Sequence, residues 1–293
     1  MKNIGLYLHI PFCNSKCPYC DFYSFSGKDT EKEEYTKILK DRILRISNLQ
    51  CKGDTLYIGG GTPSVLGAEN LKTLVDTCKN DFLTDDAEIT VECNPHGLNE
   101  DFFKTLYDCG VNRISMGLQS AVDNERRMLG RLSDRNQVEN AVKMAQRVGF
   151  ENITLDVMLG IPNQTEKSLN EPLDFCISLG VPHISAYMLK LEENTHFYKN
   201  QEKYNFPDDD LTADLYLQMC ETLHSNGIMQ YEISNFSKNG FESRHNLKYW
   251  HCEEYLGLGP SAHSFLDGKR FYFDRDFNAF MNGNSPIDDG VGG

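Results

Sequence analysis

Six times between Ile4 and Leu189, a short apolar, β-branched run gives way to a segment of helical period. That alternation limits the fold more than any other feature. The strand-like runs are residues 4–10, 55–58, 88–93, 113–119, 153–159 and 183–189. Helical segments follow at 31–49, at 66–82, from Asn99, after the fourth strand with a break near Arg131-Leu132-Ser133, and at 166–179. Glu100 and Asp101 fall in a first turn, where they suit the helix dipole. Ser133 or Asp134 caps the helix whose apolar face is Val138, Ala141, Val142, Ala145 and Val148. Strands in this rhythm run parallel, because each crossover is long enough to be a helix. Six units fall short of the eight that close a barrel. The expectation is an α/β fold, a partial (β/α)6 parallel barrel of the TIM type, over residues 1–190.

Beyond Lys190 the rhythm changes, and residues 191–282 read as a small C-terminal region appended to the core. It holds a helix at 208–226 and a strand at 231–236. Residues 239–265 are rich in Gly, His and aromatics without a clear period, as in a functional loop or small module. Residues 283–293 have little that could pack and read as a disordered tail. A formal net charge of −14 argues against general binding to nucleic-acid phosphates, which needs clustered cations. The apolar runs are strand-length, so no transmembrane segment is expected. Met1 leads straight into a strand without a leader, which points to a cytoplasmic protein.

Of ten cysteines, only Cys13, Cys17 and Cys20 are clustered, in a C-x3-C-x2-C spacing just past the first strand. Pro11 ends that strand because it cannot donate a ladder hydrogen bond. The other seven read as small buried or semi-buried hydrophobes. Three thiolates on one loop suit a soft metal centre, zinc or iron–sulfur, and leave one metal position without a protein ligand. A closed zinc site would want a fourth ligand, and only His9 is near. A redox pair at Cys17-Pro18-Tyr19-Cys20 would not need Cys13. Ligands of parallel α/β folds collect at the carboxyl ends of the strands. Those ends carry the cysteine loop, Gly59 to Ser64, Glu92, Gln119, Asp156 and the stretch from Tyr187 to Lys190. The glycine run could be only a tight turn, or it could expose main-chain groups to a ligand's carboxylate.

These residues resemble the radical S-adenosylmethionine (SAM) superfamily, and more closely its coproporphyrinogen-oxidase-like branch. The likeness lies in YLHIPFC, the C-x3-C-x2-C loop with Tyr19 before its last cysteine, GGGTPS, VECNP, GLQS, LGR and LDVMLGIP, from about Ile4 to Phe265. It implies a [4Fe–4S] cluster on Cys13, Cys17 and Cys20, with SAM chelating the open iron. By motif match, Tyr7 and Tyr19 lie near the cofactor, and Gly60, Gly61 and Thr62 meet its methionine part. Glu92 would hold the amino group, as a carboxylate suits an ammonium. Gln119, Arg131 and Asp156 would line the remainder, Arg131 near the methionine carboxylate or ribose, and main chain near Lys190 would add a contact.

Members of the branch that decarboxylate coproporphyrinogen III carry a fourth cysteine two residues after the third, where this chain has Phe22. Its heme-chaperone members, the HemW group, resemble this chain in having Phe there. They also share the H-N-x-x-Y-W motif, here His245-Asn246-Leu247-Lys248-Tyr249-Trp250. The resemblance implies heme as a ligand with His245 as its axial partner, although His251 and His263 are close by in sequence. Tyr249 and Trp250 offer flat apolar faces for a porphyrin. The function implied is delivery of heme to apo-hemoproteins, respiratory enzymes at the membrane among them, with cluster and SAM regulating transfer or a homodimer. An oxygen-independent coproporphyrinogen III dehydrogenase is the alternative. The branch generally continues into a further C-terminal domain, so an end at Val291-Gly292-Gly293 reads as a shortened form with impaired transfer.

Overall fold

A computed structural model describes residues 2–46 and 49–292. The six expected strands are β1 (Lys2–Ile10), β2 (Cys51–Gly60), β3 (Leu83–Cys93), β4 (Arg113–Gln119), β5 (Asn152–Leu159) and β6 (His183–Met188). They pair parallel in chain order. Their connections carry α1 (Asp29–Ile46), α2 (Ala68–Asp81), α3 (Glu100–Asp108), α4 (Asp123–Met128), α5 (Arg135–Val148) and α6 (Glu166–Ser178). Residues 47 and 48, inside the helix expected at 31–49, lie outside the described residues. Asn99 caps α3, and Asp134, rather than Ser133, caps α5 in a capping box with Gln137.

Among the described residues the sheet has twelve strands and stays open, because its two ends do not pair. The C-terminal region is attached through both edges. After α7 (His196–Lys199) and α8 (Asp209–Ser225), β7 (Met229–Gln230) and β8 (Asn235–Ser237) form a hairpin antiparallel to β6. Of the single strand expected at 231–236, residues 231–234 instead form the turn between β7 and β8, and only Asn235 and Phe236 are strand. The aperiodic stretch at 239–265 resolves into α9 (Arg244–Trp250), β9 (Tyr255–Leu258) and most of β10 (His263–Leu266). There β9 lies parallel to β1, and β10 continues antiparallel with β11 (Lys269–Tyr272). After α10 (Phe277–Met281), β12 (Ile287–Gly292) pairs with β11. The tail expected to be disordered is therefore a strand, held by ladder bonds that its Gly- and Asp-rich composition does not announce.

Strand alternation assigns the two faces. Ile4, Leu6, Leu8 and Ile10 are fully buried, as are Leu56, Ile58 and Val91, in one core with Leu39 and Ile43 of α1 and Leu71 and Leu74 of α2. Each such side chain stabilises the fold by roughly 1.5–3 kcal/mol. The opposite, inner face is polar: Tyr7, His9, Thr55, Tyr57, Glu88, Thr90, Glu92, Arg113, Ser115, Thr154, Asp156, His183 and Ser185. A core alone would not need that face, since each buried polar group costs free energy unless it is bonded. Of the scattered cysteines, Cys51, Cys78, Cys93, Cys109 and Cys176 are buried and Cys220 half-buried, but Cys252 is exposed.

Candidate functional site

The site begins where β1 ends. The cysteine loop is pinned by Cys13 N–H donating to the Phe25 carbonyl and Phe25 N–H to the Pro11 carbonyl, both at 2.9 Å. Cys13, Cys17 and Cys20 are free and half-buried, and Cys13 Sγ lies 3.2 Å from Thr62 Oγ1. Burial pushes the Cys20 thiol up. Among the described residues no three His, Cys, Asp or Glu side chains converge tightly enough for a single metal ion. His9 does not join the thiols: its Nε2 is 2.9 Å from the Tyr23 carbonyl and its Nδ1 3.0 Å from the Tyr7 hydroxyl. In a four-iron cluster each thiolate takes its own iron, so that donor set does not require the three sulfurs to converge on one ion.

The glycine run contacts this loop, but not as expected. Gly61 N–H donates to the Ile10 carbonyl at 2.8 Å, and Thr62 N–H to the Phe12 carbonyl at 2.7 Å. Gly60 N–H donates to Glu92 Oε2 at 3.2 Å. These three donors are spent inside the protein, which removes the basis for docking a carboxylate on them. A Cβ at Gly61 would stand 2.6 Å from the Phe12 carbonyl oxygen and 2.9 Å from that of Ile10, so close approach of the end of β1 and the chain leaving it is what requires glycine there.

Glu92 and Asp156 sit half-buried on the inner face. Tyr57 donates its hydroxyl to Glu92 Oε1 at 2.8 Å, and Ser115 donates to Asp156 Oδ1 at 3.2 Å. Desolvation, reinforced for Glu92 by the Asp156 charge, pushes both carboxyls up to about 7. Gln119 ends β4 at a bulge, with φ 67°, a left-handed conformation uncommon for residues other than glycine. Arg131 Nη2 donates to the Gly117 carbonyl at 2.9 Å, its guanidinium lies against Tyr19 and Cys17, and its buried Nε has no hydrogen-bond partner. A cleft between the cysteine loop and the Leu129-Gly130-Arg131 turn is lined by Cys17, Thr62, Asn94, Gly130 and Arg131. Lys190 instead faces solvent and pairs with Glu192 at 2.7 Å. A cavity of about 380 Å³ between Leu98 and Met144 lies elsewhere, and its one cation, Arg147, is tied to Glu100 at 2.7 Å.

Three groups escaped the sequence reading. Tyr57 positions Glu92, Ser115 positions Asp156, and Arg126 ties the end of β4 by donating to the Leu118 and Ser120 carbonyls at 2.7 Å. Strand alternation could have found Tyr57 and Ser115, which share the face of Glu92. Nothing local marks Arg126.

The raised carboxyls carry a pH signature. Both hold their protons more tightly in the folded chain than in an unfolded one. Their stabilisation is therefore complete below about pH 4 and is lost as pH rises through about 7. Buried histidines, His9 held down at about 4 and His245 at about 3, act oppositely below about pH 6.5. The signal is thus in a difference. The change in unfolding free energy on Glu92→Gln in ligand-free protein should be more favourable at pH 8 than at pH 5.5, by on the order of 2 kcal/mol, read from denaturant unfolding at the two pH values. An identical change at both pH values would contradict the raised carboxyl.

His245 lies at the other end of the inner face. It is 1% exposed, its Nδ1 is 2.8 Å from Thr55 Oγ1, and its Nε2 is 2.8 Å from the Tyr249 hydroxyl. Its ring packs against Gly5 and stacks on Tyr57 at 5.3 Å. The heme ligand expected from the sequence is thus inside the barrel with both ring nitrogens bonded, while Trp250 is 52% exposed. His251 and His263 are exposed, His263 stacked on Tyr272.

An open parallel barrel with a three-cysteine loop and a carboxylate-bearing mouth defines a class, and comparisons with known proteins agree with it. The Radical SAM superfamily model matches residues 7–176. Heme chaperone HemW of Bacillus subtilis is 38% identical over 270 residues, covering 90% of this chain and 71% of that protein. Heme chaperone HemW of Escherichia coli is 37% identical, covering 96% and 76%. The solved coproporphyrinogen III oxidase (HemN) of Escherichia coli, a radical SAM enzyme by its description, superposes with a TM-score of 0.84. It covers 96% of this chain and 69% of that one at 22% identity, and so speaks for the fold alone. The chain belongs to the radical SAM superfamily and, within its coproporphyrinogen-oxidase-like branch, to the HemW family.

Proposed function

We propose that the protein is a cytoplasmic heme chaperone that binds a [4Fe–4S] cluster with SAM at the barrel mouth and delivers heme to apo-hemoproteins, respiratory enzymes among them. The observation that carries this reading is the 38% identity to a heme chaperone over 90% of the chain. Phe22, 68% exposed where the decarboxylating members have a fourth cysteine, and the intact motif from His245 to Trp250 support it. Relatives at this level point to the chaperone, whereas the fold likeness to the oxidase does not choose a reaction.

The donor set fits the cofactors. Cys13, Cys17 and Cys20 supply three soft ligands, and the unpartnered Arg131 Nε suits a ligand carboxylate or hydroxyl. Glu92 would take the ammonium of SAM, with Tyr7, Tyr19, Gly60, Gly61, Thr62, Gln119 and Asp156 lining the rest. When bound, cluster and SAM supply one-electron chemistry at the sulfonium. The chain's own part is placement: Tyr57 fixes Glu92, and Ser115 fixes Asp156. Cluster and SAM would regulate heme transfer or a homodimer.

His245 would be the axial ligand to heme. Burial holds its imidazole down at about 3, so it is neutral at physiological pH, the form whose lone pair can bond iron. To do so it must give up the Tyr249 hydroxyl, and α9 must move outward. Heme titrated into the protein should give a Soret band that His245→Ala abolishes and that His251→Ala and His263→Ala leave in place. Loss in one of the exposed variants instead would reassign the ligand.

A further inference from the structure

We propose that Tyr57 couples the two ends of the inner face, so that heme binding on His245 and SAM binding on Glu92 oppose each other; this rests on the reading above. Register places His245 beside Gly5 and Thr55, which pair with each other, while Tyr57 is two residues nearer the mouth. The Tyr57 ring stacks on His245 at 5.3 Å and 30°. Its hydroxyl donates to Glu92 Oε1 at 2.8 Å, and the other Glu92 oxygen accepts from Gly60 N–H at 3.2 Å. One side of the carboxylate is therefore set by main chain. The other is set by a side chain whose ring leans on the imidazole. Tyr7 gives that ring a second neighbour at nearly the same interplanar angle, 31°, but farther, at 6.3 Å.

Withdrawal of His245 to iron removes the stacking partner and opens space beside Tyr57. The hydroxyl is then no longer held on Glu92, and a desolvated carboxylate loses one of its two donors. The ammonium site is less preformed, so SAM binds more weakly. In the other direction, a cation on Glu92 keeps the carboxylate charged and strengthens the hydrogen bond from Tyr57. The stack is then harder to open and heme binds more weakly, as reciprocity demands. Heme would load while the SAM site is empty, and SAM arrival would favour release.

The test measures SAM affinity by equilibrium dialysis on the full cluster-loaded chain under anaerobic conditions, with and without saturating heme. In the native chain heme should weaken SAM binding about tenfold, within the usual range for coupled sites. Tyr57→Phe keeps the stacked ring but cannot bond Glu92, and should bind SAM equally with and without heme. No heme effect in the native chain, or a full effect in Tyr57→Phe, overturns the proposal. A heme-free arm separates it from the ligand assignment. His245→Ala, which removes the ring, should bind SAM about tenfold more weakly than His245→Phe, which keeps one, with folding of both verified by circular dichroism. Equal SAM affinities in these two variants sink the coupling whatever the heme result. If the difference appears while the Soret titration assigns heme to another histidine, the Tyr57 link stands and the heme ligand falls.

Discussion

Glu92→Gln is expected to weaken SAM binding about 10- to 100-fold while leaving the fold intact. A hydrogen bond to a charged group contributes about 1.5–3 kcal/mol, and each 1.4 kcal/mol is tenfold in affinity. The amide is isosteric and its oxygen can still accept from Tyr57, so packing against Tyr57 survives. Its NH2, however, would face Gly60 N–H, a donor against a donor. The variant therefore loses both the counter-charge and one anchor. Equilibrium dialysis with labelled SAM on cluster-loaded protein reads the effect. Native affinity in the variant would remove Glu92 from the site.

Cys17→Ser should abolish the iron–sulfur absorbance of reconstituted protein, together with SAM binding at the open iron. A serine oxygen is a poor substitute for a soft thiolate. The loop does not depend on the thiol for its fold. Cys17 is half-buried, and the loop is held by main-chain bonds, including Cys20 N–H to the Cys17 carbonyl at 3.1 Å. The cluster-free variant should thus melt like cluster-free native protein. Cys176→Ser makes the contrast. Its sulfur is fully buried in α6, so a hydroxyl there should cost about 1–3 kcal/mol and leave the cluster in place. Iron content and melting temperature separate the two. Cluster assembly on Cys17→Ser would contradict the ligand set.

The parallel core was legible because its signals are local. Short apolar, β-branched runs marked all six strands, and Asn99 and the pair Ser133-Asp134 marked helix starts, of which Asn99 and Asp134 are the residues that cap α3 and α5. The mouth was legible as a set of strand ends. What the sequence hid depends on distant partners. Pairing with β11 makes residues 287–292 a strand, and pairing with β1 and β10 draws β9 into the sheet. Gly60 and Gly61 looked like ligand donors because the acceptors of their N–H groups, Glu92 and Ile10, lie in other elements. His245 looked available because sequence shows its aromatic neighbours Tyr249 and Trp250 but not Thr55, which comes 190 residues earlier.

A heme carrier and an enzyme that makes porphyrin differ in what they do with two ligands. One anaerobic, cluster-loaded preparation, supplied with SAM and reductant, should be divided between a heme titration and an assay with coproporphyrinogen III. The Soret band should saturate with heme, and coproporphyrinogen III should be recovered unchanged. Conversion to protoporphyrinogen IX in the second portion would contradict the heme carrier.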